Sequence, residues 1–151
     1  MSDAADGLAD LRAEMQRRFQ ETPLHALLGI EILEADPDAP GTSTVTMKVG
    51  PNSFGSVTDD LHGGAIATLV DVACASAGAR ATTYRPGENT LVTADMHVRF
   101  VGRARTANVR CEAQVVRAGS RQVVVDGRVI DDDGNLVAVC DFSFMLVDLR
   151  K

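Results

Sequence analysis

Hydrophobic positions fall into three patterns along the chain. Near the N-terminus Leu8, Leu11, Met15 and Phe19 recur at spacings of 3, 4 and 4 residues. That spacing draws one apolar stripe on a helix, predicted from about Ser2 to Glu21, with Ser2 or Asp3 as a cap and Pro23 as its stop. Next, Leu28 to Ala35 and Thr42 to Val49 read as two strands around the turn residues Asp36-Pro37-Asp38-Ala39-Pro40-Gly41. In the second strand Val45, Met47 and Val49 alternate with Thr44, Thr46 and Lys48, as in a half-buried antiparallel strand.

The pattern changes after a polar loop from Gly50 to Asp60. Ile66, Leu69, Val70, Ala73, Cys74 and Ala77 follow helical spacing, and the positions between them are mostly Ala, Gly, Ser and Thr. Between His62 and Arg80 the only formal charge is Asp71. A helix this apolar all round is expected to be buried on most sides. Four strands are then predicted, roughly Leu91–Val101, Ala107–Arg117, Gln122–Asp131 and Leu136–Val147, with turns at Ala118-Gly119-Ser120 and Asp132-Asp133-Gly134-Asn135. His97 and Arg99 alternate with Val98 and Phe100 in the first of these. Strand runs around one central helix imply an α+β domain whose antiparallel sheet wraps that helix.

Composition narrows the class. A chain of 151 residues is one domain's worth. No apolar run approaches the ~20 residues needed to span a bilayer, so no membrane association is expected. The acidic start MSDAADGLAD has no apolar core of a secretory signal, which implies a cytoplasmic protein. The net charge of -6 argues against nucleic acid as a partner. Of the 15 basic residues, only Lys48 and Lys151 are lysines, and arginine suits phosphate and carboxylate partners. Cys74, Cys111 and Cys140 form no close pair in sequence and read as reduced thiols, with Cys74 as a packing residue. His25, His62 and His97 lack metal-ligand spacing, so no metal is expected.

Candidate chemistry lies at Leu61-His62-Gly63-Gly64, just before the apolar helix. The first turn of a helix presents unpaired N–H groups at the positive end of its dipole. Gly63 N–H could there donate to a developing oxyanion; a pair of glycines also suits a plain helix start. Asp71 adds weight, since a carboxylate in an uncharged helix is costly unless paired or used. It either caps a loop or pairs with an arginine such as Arg99, or serves as a general base or nucleophile. Nine residues at about 100° each set Asp71 roughly opposite His62 and ~13 Å along the helix. One helix cannot aim both at one small reacting group, whereas a twofold dimer can, so the predicted active site is interfacial.

The segment His62-Gly63-Gly64-Ala65-Ile66-Ala67-Thr68-Leu69-Val70-Asp71-Val72-Ala73 closely resembles the HGG-(x)6-D segment of PaaI-type hot-dog thioesterases. The resemblance extends over about residues 24–147, including Asp95-Met96-His97-Val98-Arg99-Phe100 and Asp133-Gly134-Asn135-Leu136-Val137-Ala138. It implies a hot-dog fold, a curled antiparallel sheet around one long central helix. Residues 1–23 would add an extra N-terminal helix to a hot-dog domain at 24–151, within a single domain overall. It further implies hydrolysis of acyl-coenzyme A thioesters without metal or cofactor, and dimers that pair into tetramers. By motif position, Gly63 N–H would polarise the thioester carbonyl and His62 would orient the substrate or the loop. Asp71 would activate water or attack the acyl carbon, and Thr93 would position water. Gly64 and Arg99 complete the set of candidate residues, both as substrate-binding positions.

One position departs from the family pattern. Relatives often carry Asn or Gln six residues before the histidine; here Ser56 stands there, and Asn52 lies ten residues before His62. Either Asn52 takes over by another loop path, or Ser56 substitutes with a weaker hydrogen bond, or catalysis is slow. Arg80, Arg85, Arg99, Arg103, Arg105 and Arg128 are candidates for the phosphates of coenzyme A. Leu27, Leu28 and the small residues of the helix are expected to line the acyl pocket. Competing readings are a noncatalytic acyl-CoA or acyl-carrier-protein binding module on the same fold, which Ser56 favours, and a hot-dog dehydratase, whose HFPG-type helix start is absent.

Overall fold

This computed structural model describes residues 13–149 apart from 15, 16 and 34. The predicted cap and the stripe residues Leu8, Leu11 and Met15 lie outside the described residues. Residues 17–21 are helical, with Phe19 packed against the core. The chain turns at Thr22, whose hydroxyl donates to the Arg18 carbonyl. Pro23 does more than stop the first helix. It occupies the first turn of a second one, α1 (Pro23–Leu28), where its fixed φ fits and no N–H is needed. Gly29, at a left-handed φ of 60°, closes α1, and Ile30 N–H returns to the His25 carbonyl at 2.9 Å. Leu28 therefore ends a helix rather than opening a strand. The strand expected from Leu28 to Ala35 is only β1 (Glu31–Ile32).

The other elements match the hydrophobic pattern closely. They are β2 (Thr42–Lys48), α2 (Gly63–Ala81), β3 (Asn89–Phe100), β4 (Asn108–Ala118), β5 (Gln122–Asp131) and β6 (Leu136–Asp148). All six strands join one antiparallel sheet in the order β1-β2-β4-β5-β6-β3. The sheet curls around α2, which packs against every strand from β2 to β6. Ile66, Leu69, Val70, Ala73, Cys74 and Ala77 of α2 meet Val45, Met47, Val109, Val123, Val125, Phe142 and Phe144 in one core. This is the hot-dog architecture.

The three cysteines are distant in sequence but converge in space. Cys74 Sγ and Cys140 Sγ are 3.9 Å apart, and Cys111 joins them around Gly127 of β5. A Cβ on Gly127 would lie 2.8 Å from Cys140 Sγ, 3.3 Å from Cys111 Sγ and 3.5 Å from Cys74 Sγ. Gly127 is thus the space the sulfurs fill. All three thiols are free and buried, and neighbouring thiols together with burial push the Cys74 thiol well above its ordinary value.

Asp131 holds the β5–β6 turn. Its fully buried carboxylate accepts from the N–H groups of Arg105, Asp133 and Asn135 and from the Asn135 side-chain amide, at 2.9–3.1 Å. These donors, the Asn135 side chain foremost, hold the carboxyl below the usual aspartate value. The Arg105 contact ties the loop after β3 to that turn.

Candidate active site

The start of α2 is held by contacts that use the N–H groups of His62, Gly64, Ala65 and Ile66 but not that of Gly63. His62, at φ −66° and ψ 133°, is the N-cap, and its Nδ1 accepts from Gly64 N–H at 2.8 Å. In the neutral ring this leaves the proton on Nε2. His62 N–H donates to the Ser53 carbonyl at 2.7 Å, and the His62 carbonyl accepts from Ala65 and Ile66 N–H at 3.0 and 3.1 Å. Ser53 is itself buried and donates its hydroxyl to the Lys48 carbonyl. Gly63 N–H has no hydrogen-bond partner among the described residues. It stands at the positive end of a 19-residue helix, a position suited to a negative oxygen.

The loop leading to this point is braced from outside. Gly55 N–H donates to the Asp60 carbonyl at 2.8 Å, and Arg103 Nε and Nη2 both reach Asp60 Oδ1, at 2.9 and 2.5 Å. The Arg103 guanidinium holds the Asp60 carboxyl below its ordinary range.

Asp71 sits two turns further along α2. Its Oδ1 accepts from Thr93 Oγ1 at 2.7 Å. The helix is buried on one face only, at Ala65, Ile66, Leu69, Val70, Ala73, Cys74, Ala77 and Gly78. The expectation of burial on most sides is corrected, because the curled sheet covers one side of α2. Ala67, Thr68, Asp71, Val72, Ala75, Ser76 and Ala79 form a half-open face of small side chains. Asp71 is therefore half-buried within the single chain.

A bulge in β3 decides which residues reach that carboxylate. Thr93 pairs with Phe144 and Asp95 with Ser143, leaving Ala94 as the extra residue. Directly opposed residues share a face of a sheet. Thr93, Met96, Val98 and Phe100 oppose the buried Phe144, Phe142, Cys140 and Ala138, so all four face α2. Asp95, His97 and Arg99 oppose Ser143, Asp141 and Val139 on the outer face. The pairing of Asp71 with Arg99 is thus replaced by a hydroxyl contact, and Arg99 lies across the sheet from Asp71.

The remaining sequence candidates scatter. Asn52 donates its side-chain amide to the Leu27 carbonyl at the end of α1, at 3.1 Å. Ser56 is exposed in the loop and makes no hydrogen bond among the described residues. Leu28 is buried, whereas Leu27 is exposed. Arg80 donates to the Thr42 carbonyl, Arg85 meets Glu88, Arg103 meets Asp60 and Arg128 meets Glu112. The Arg99 and Arg105 guanidinium groups have no partner among the described residues. Two neighbours of the site were not singled out from sequence: Ser53, which anchors His62, and Phe100, whose ring lies against Gly63. The alternation around Phe100 already pointed its side chain inward; what it would meet was not written in the pattern.

A family model described as thioesterase superfamily matches residues 59–138, which contain the His62-Gly63-Gly64 start, Asp71, Thr93 and β3 to β5. The chain belongs to the thioesterase superfamily. Among solved structures, one of a protein from the same superfamily is 32% identical, covering 89% of this chain and 95% of that one, with a TM-score of 0.73. The fold is also shared with a mutant thioesterase from Pseudomonas aeruginosa, at 22% identity and a TM-score of 0.79 over 90% of this chain and 94% of that one. The PaaI protein of the E. coli phenylacetic acid degradation operon is 21% identical, with a TM-score of 0.73 over 87% of this chain and 88% of that one. No curated protein matches by sequence. Membership makes thioester hydrolysis the class of activity. Among the described residues no helix is long and apolar enough to cross a membrane.

Proposed function

We propose that the protein is an acyl-CoA thioesterase whose active site is completed by a second copy of the chain. The observation that carries this reading is the Gly63 N–H, unpartnered among the described residues beside the paired N–H groups of His62, Gly64, Ala65 and Ile66. A thioester carbonyl oxygen placed there gains charge as its carbon is attacked, and a fixed N–H at a helix start stabilises that charge. Asp71, oriented by Thr93, supplies the base or the nucleophile. As base, its carboxylate takes a proton from water while the water oxygen bonds to the acyl carbon; the tetrahedral intermediate then expels the coenzyme A thiolate. As nucleophile, it forms an acyl anhydride with loss of the thiolate, and water then cleaves the anhydride. Neither route uses a metal or a redox cofactor.

Gly63 and Asp71 are separated by eight residues of one helix, so one chain's pair cannot close on one carbonyl. The edge strand β3 supports a partner. It runs twelve residues, pairs only with β6, and exposes Val92, Met96 and Phe100. An unpaired edge of that length is a template for strand addition. In the proposed dimer Gly63 and His62 of one protomer face Asp71 and Thr93 of its partner. A tetramer rests on the family resemblance alone.

The test is release of free thiol from a panel of acyl-CoA substrates by the wild type and by Asp71→Asn. The substitution should reduce kcat by about 10²–10⁴ while the melting temperature holds. The second reading, a noncatalytic acyl-CoA binding module, draws on Ser56, exposed and without a hydrogen bond among the described residues, and on Asn52, whose amide is tied to the Leu27 carbonyl. Tight acyl-CoA binding without thiol release would establish it.

A further inference from the structure

The Phe100 ring is the nearest group of the fold to the side-chain position of Gly63. Were a Cβ present on Gly63, Phe100 Cζ would lie 3.4 Å from it and two further ring carbons 3.7 and 3.9 Å away. The ring is nevertheless 56% exposed, although Phe100 pairs with the fully buried Ala138. An exposed aromatic ring beside a helix start is a poor use of apolar area unless something covers it.

Its position depends on the bulge at Ala94. Thr93 and Phe100 are seven residues apart, an odd separation that places two side chains on opposite faces of a regular strand. The extra residue reverses the parity, so that Thr93 reaches Asp71 and Phe100 reaches Gly63 on one face of β3. Met96, 48% exposed, and Val98 lie between them on that face. The inner face of β3 between Thr93 and Phe100 is therefore apolar. The one arginine of this stretch, Arg99, is turned to the outer face.

We infer that Phe100 is a specificity-determining residue, forming with Met96 the wall against which an apolar, uncharged acyl group lies while Gly63 N–H holds its carbonyl. This rests on the thioesterase reading given above. An acyl group ending in a carboxylate would place a second anion on this face without a cationic partner and would lose its hydration there. Apolar acyl groups gain contact with the ring and shield the Gly63 hydrogen bond from water.

The experiment compares hexanoyl-CoA with adipoyl-CoA, which share a six-carbon acyl backbone and differ by a terminal carboxylate. The wild type should favour hexanoyl-CoA by at least tenfold in kcat/KM. Phe100→Ala should lower kcat/KM for hexanoyl-CoA by about 10- to 100-fold, mainly through KM, and change adipoyl-CoA far less, so the preference shrinks. Phe100→Leu, which keeps apolar volume and guards against misfolding, should fall between. An unchanged ratio in both variants, or a wild type that prefers adipoyl-CoA, overturns the assignment. Absence of wild-type turnover on every acyl-CoA overturns the thioesterase reading instead. The same variants are then read by affinity for hexanoyl-CoA relative to free coenzyme A, where equal ratios in wild type and Phe100→Ala reject the role of the ring.

Discussion

Thr93 Oγ1 donates to Asp71 Oδ1 at 2.7 Å, joining the edge strand β3 to the central helix α2. The contact fixes one carboxylate oxygen and leaves Oδ2 to act. Thr93→Val keeps the side-chain shape and the strand preference while removing the donor. A hydrogen bond to a charged group is worth roughly 1.5–3 kcal/mol, so kcat should fall about 10- to 100-fold with KM little changed. Thr93→Ser should restore most of it. Steady-state kinetics on one acyl-CoA substrate decide, and an unchanged kcat in Thr93→Val would remove Thr93 from the site.

The two routes open to Asp71 differ in where water's oxygen goes. In a single turnover in ¹⁸O-labelled water, a nucleophilic carboxylate retains label after its acyl anhydride is cleaved at the aspartyl carbonyl, and later turnovers pass that label to product. A general base never acquires it. Mass spectrometry of the peptide carrying Asp71 after many turnovers separates the routes: label on the carboxyl identifies the nucleophile.

The pattern of apolar positions carried most of the fold, because each long element buries one regular face. The strands from Thr42 onward and the helix after His62 shifted by no more than two residues at either end. Leu28 does not read as the end of a helix because the five residues between Pro23 and Gly29 are too few to show a period. The signal was Pro at the start and Gly just past the end. Asp71 was legible as an anomaly of charge, and Gly63 as a helix start. Their supports were not: the bulge at Ala94 and the contact of Phe100 with Gly63 depend on pairing across strands. The convergence of Cys74, Cys111 and Cys140 is equally invisible at spacings of 37 and 29 residues.

That sulfur cluster has no spare volume. Gly127→Ala would set a methyl 2.8 Å from Cys140 Sγ, inside contact distance, on a strand held by neighbours on both sides. Overpacking of a closed core costs about 1–3 kcal/mol, so urea unfolding should show that loss of stability. The native thiols should stay nearly inert to a thiol-reactive dye, and all three should react in denaturant. Gly127→Ala should speed their modification by raising the population of the open state.

Asp131 should make the protein acid-sensitive. Its folded carboxyl titrates below the ordinary aspartate value, so its contribution to stability is complete above about pH 4 and is lost as pH falls through the lower folded value. Asp131→Asn removes the negative acceptor from four converging donor groups and should destabilise the protein at pH 7. The gap between wild type and variant in urea unfolding should narrow on acidification toward pH 3. A gap independent of pH would show that shape rather than charge holds the turn.

Complementation between inactive variants tests the shared site most directly. Gly63 is the first helical residue, where proline is tolerated, and the extended His62 before it, at ψ 133°, has the backbone a following proline requires. Gly63→Pro deletes the N–H alone and should cost about 10²–10³ in kcat with little loss of stability. Gly63→Ala keeps the N–H and fits at 3.4 Å from the Phe100 ring, so it should stay active. In a mixed dimer of Gly63→Pro and Asp71→Asn chains, one of the two sites has an intact glycine from one chain and an intact aspartate from the other. Equal mixing with subunit exchange should recover roughly a quarter of wild-type activity from two inactive parents. If Gly63 and Asp71 instead served a carbonyl within one chain, the mixture would stay as inactive as its components.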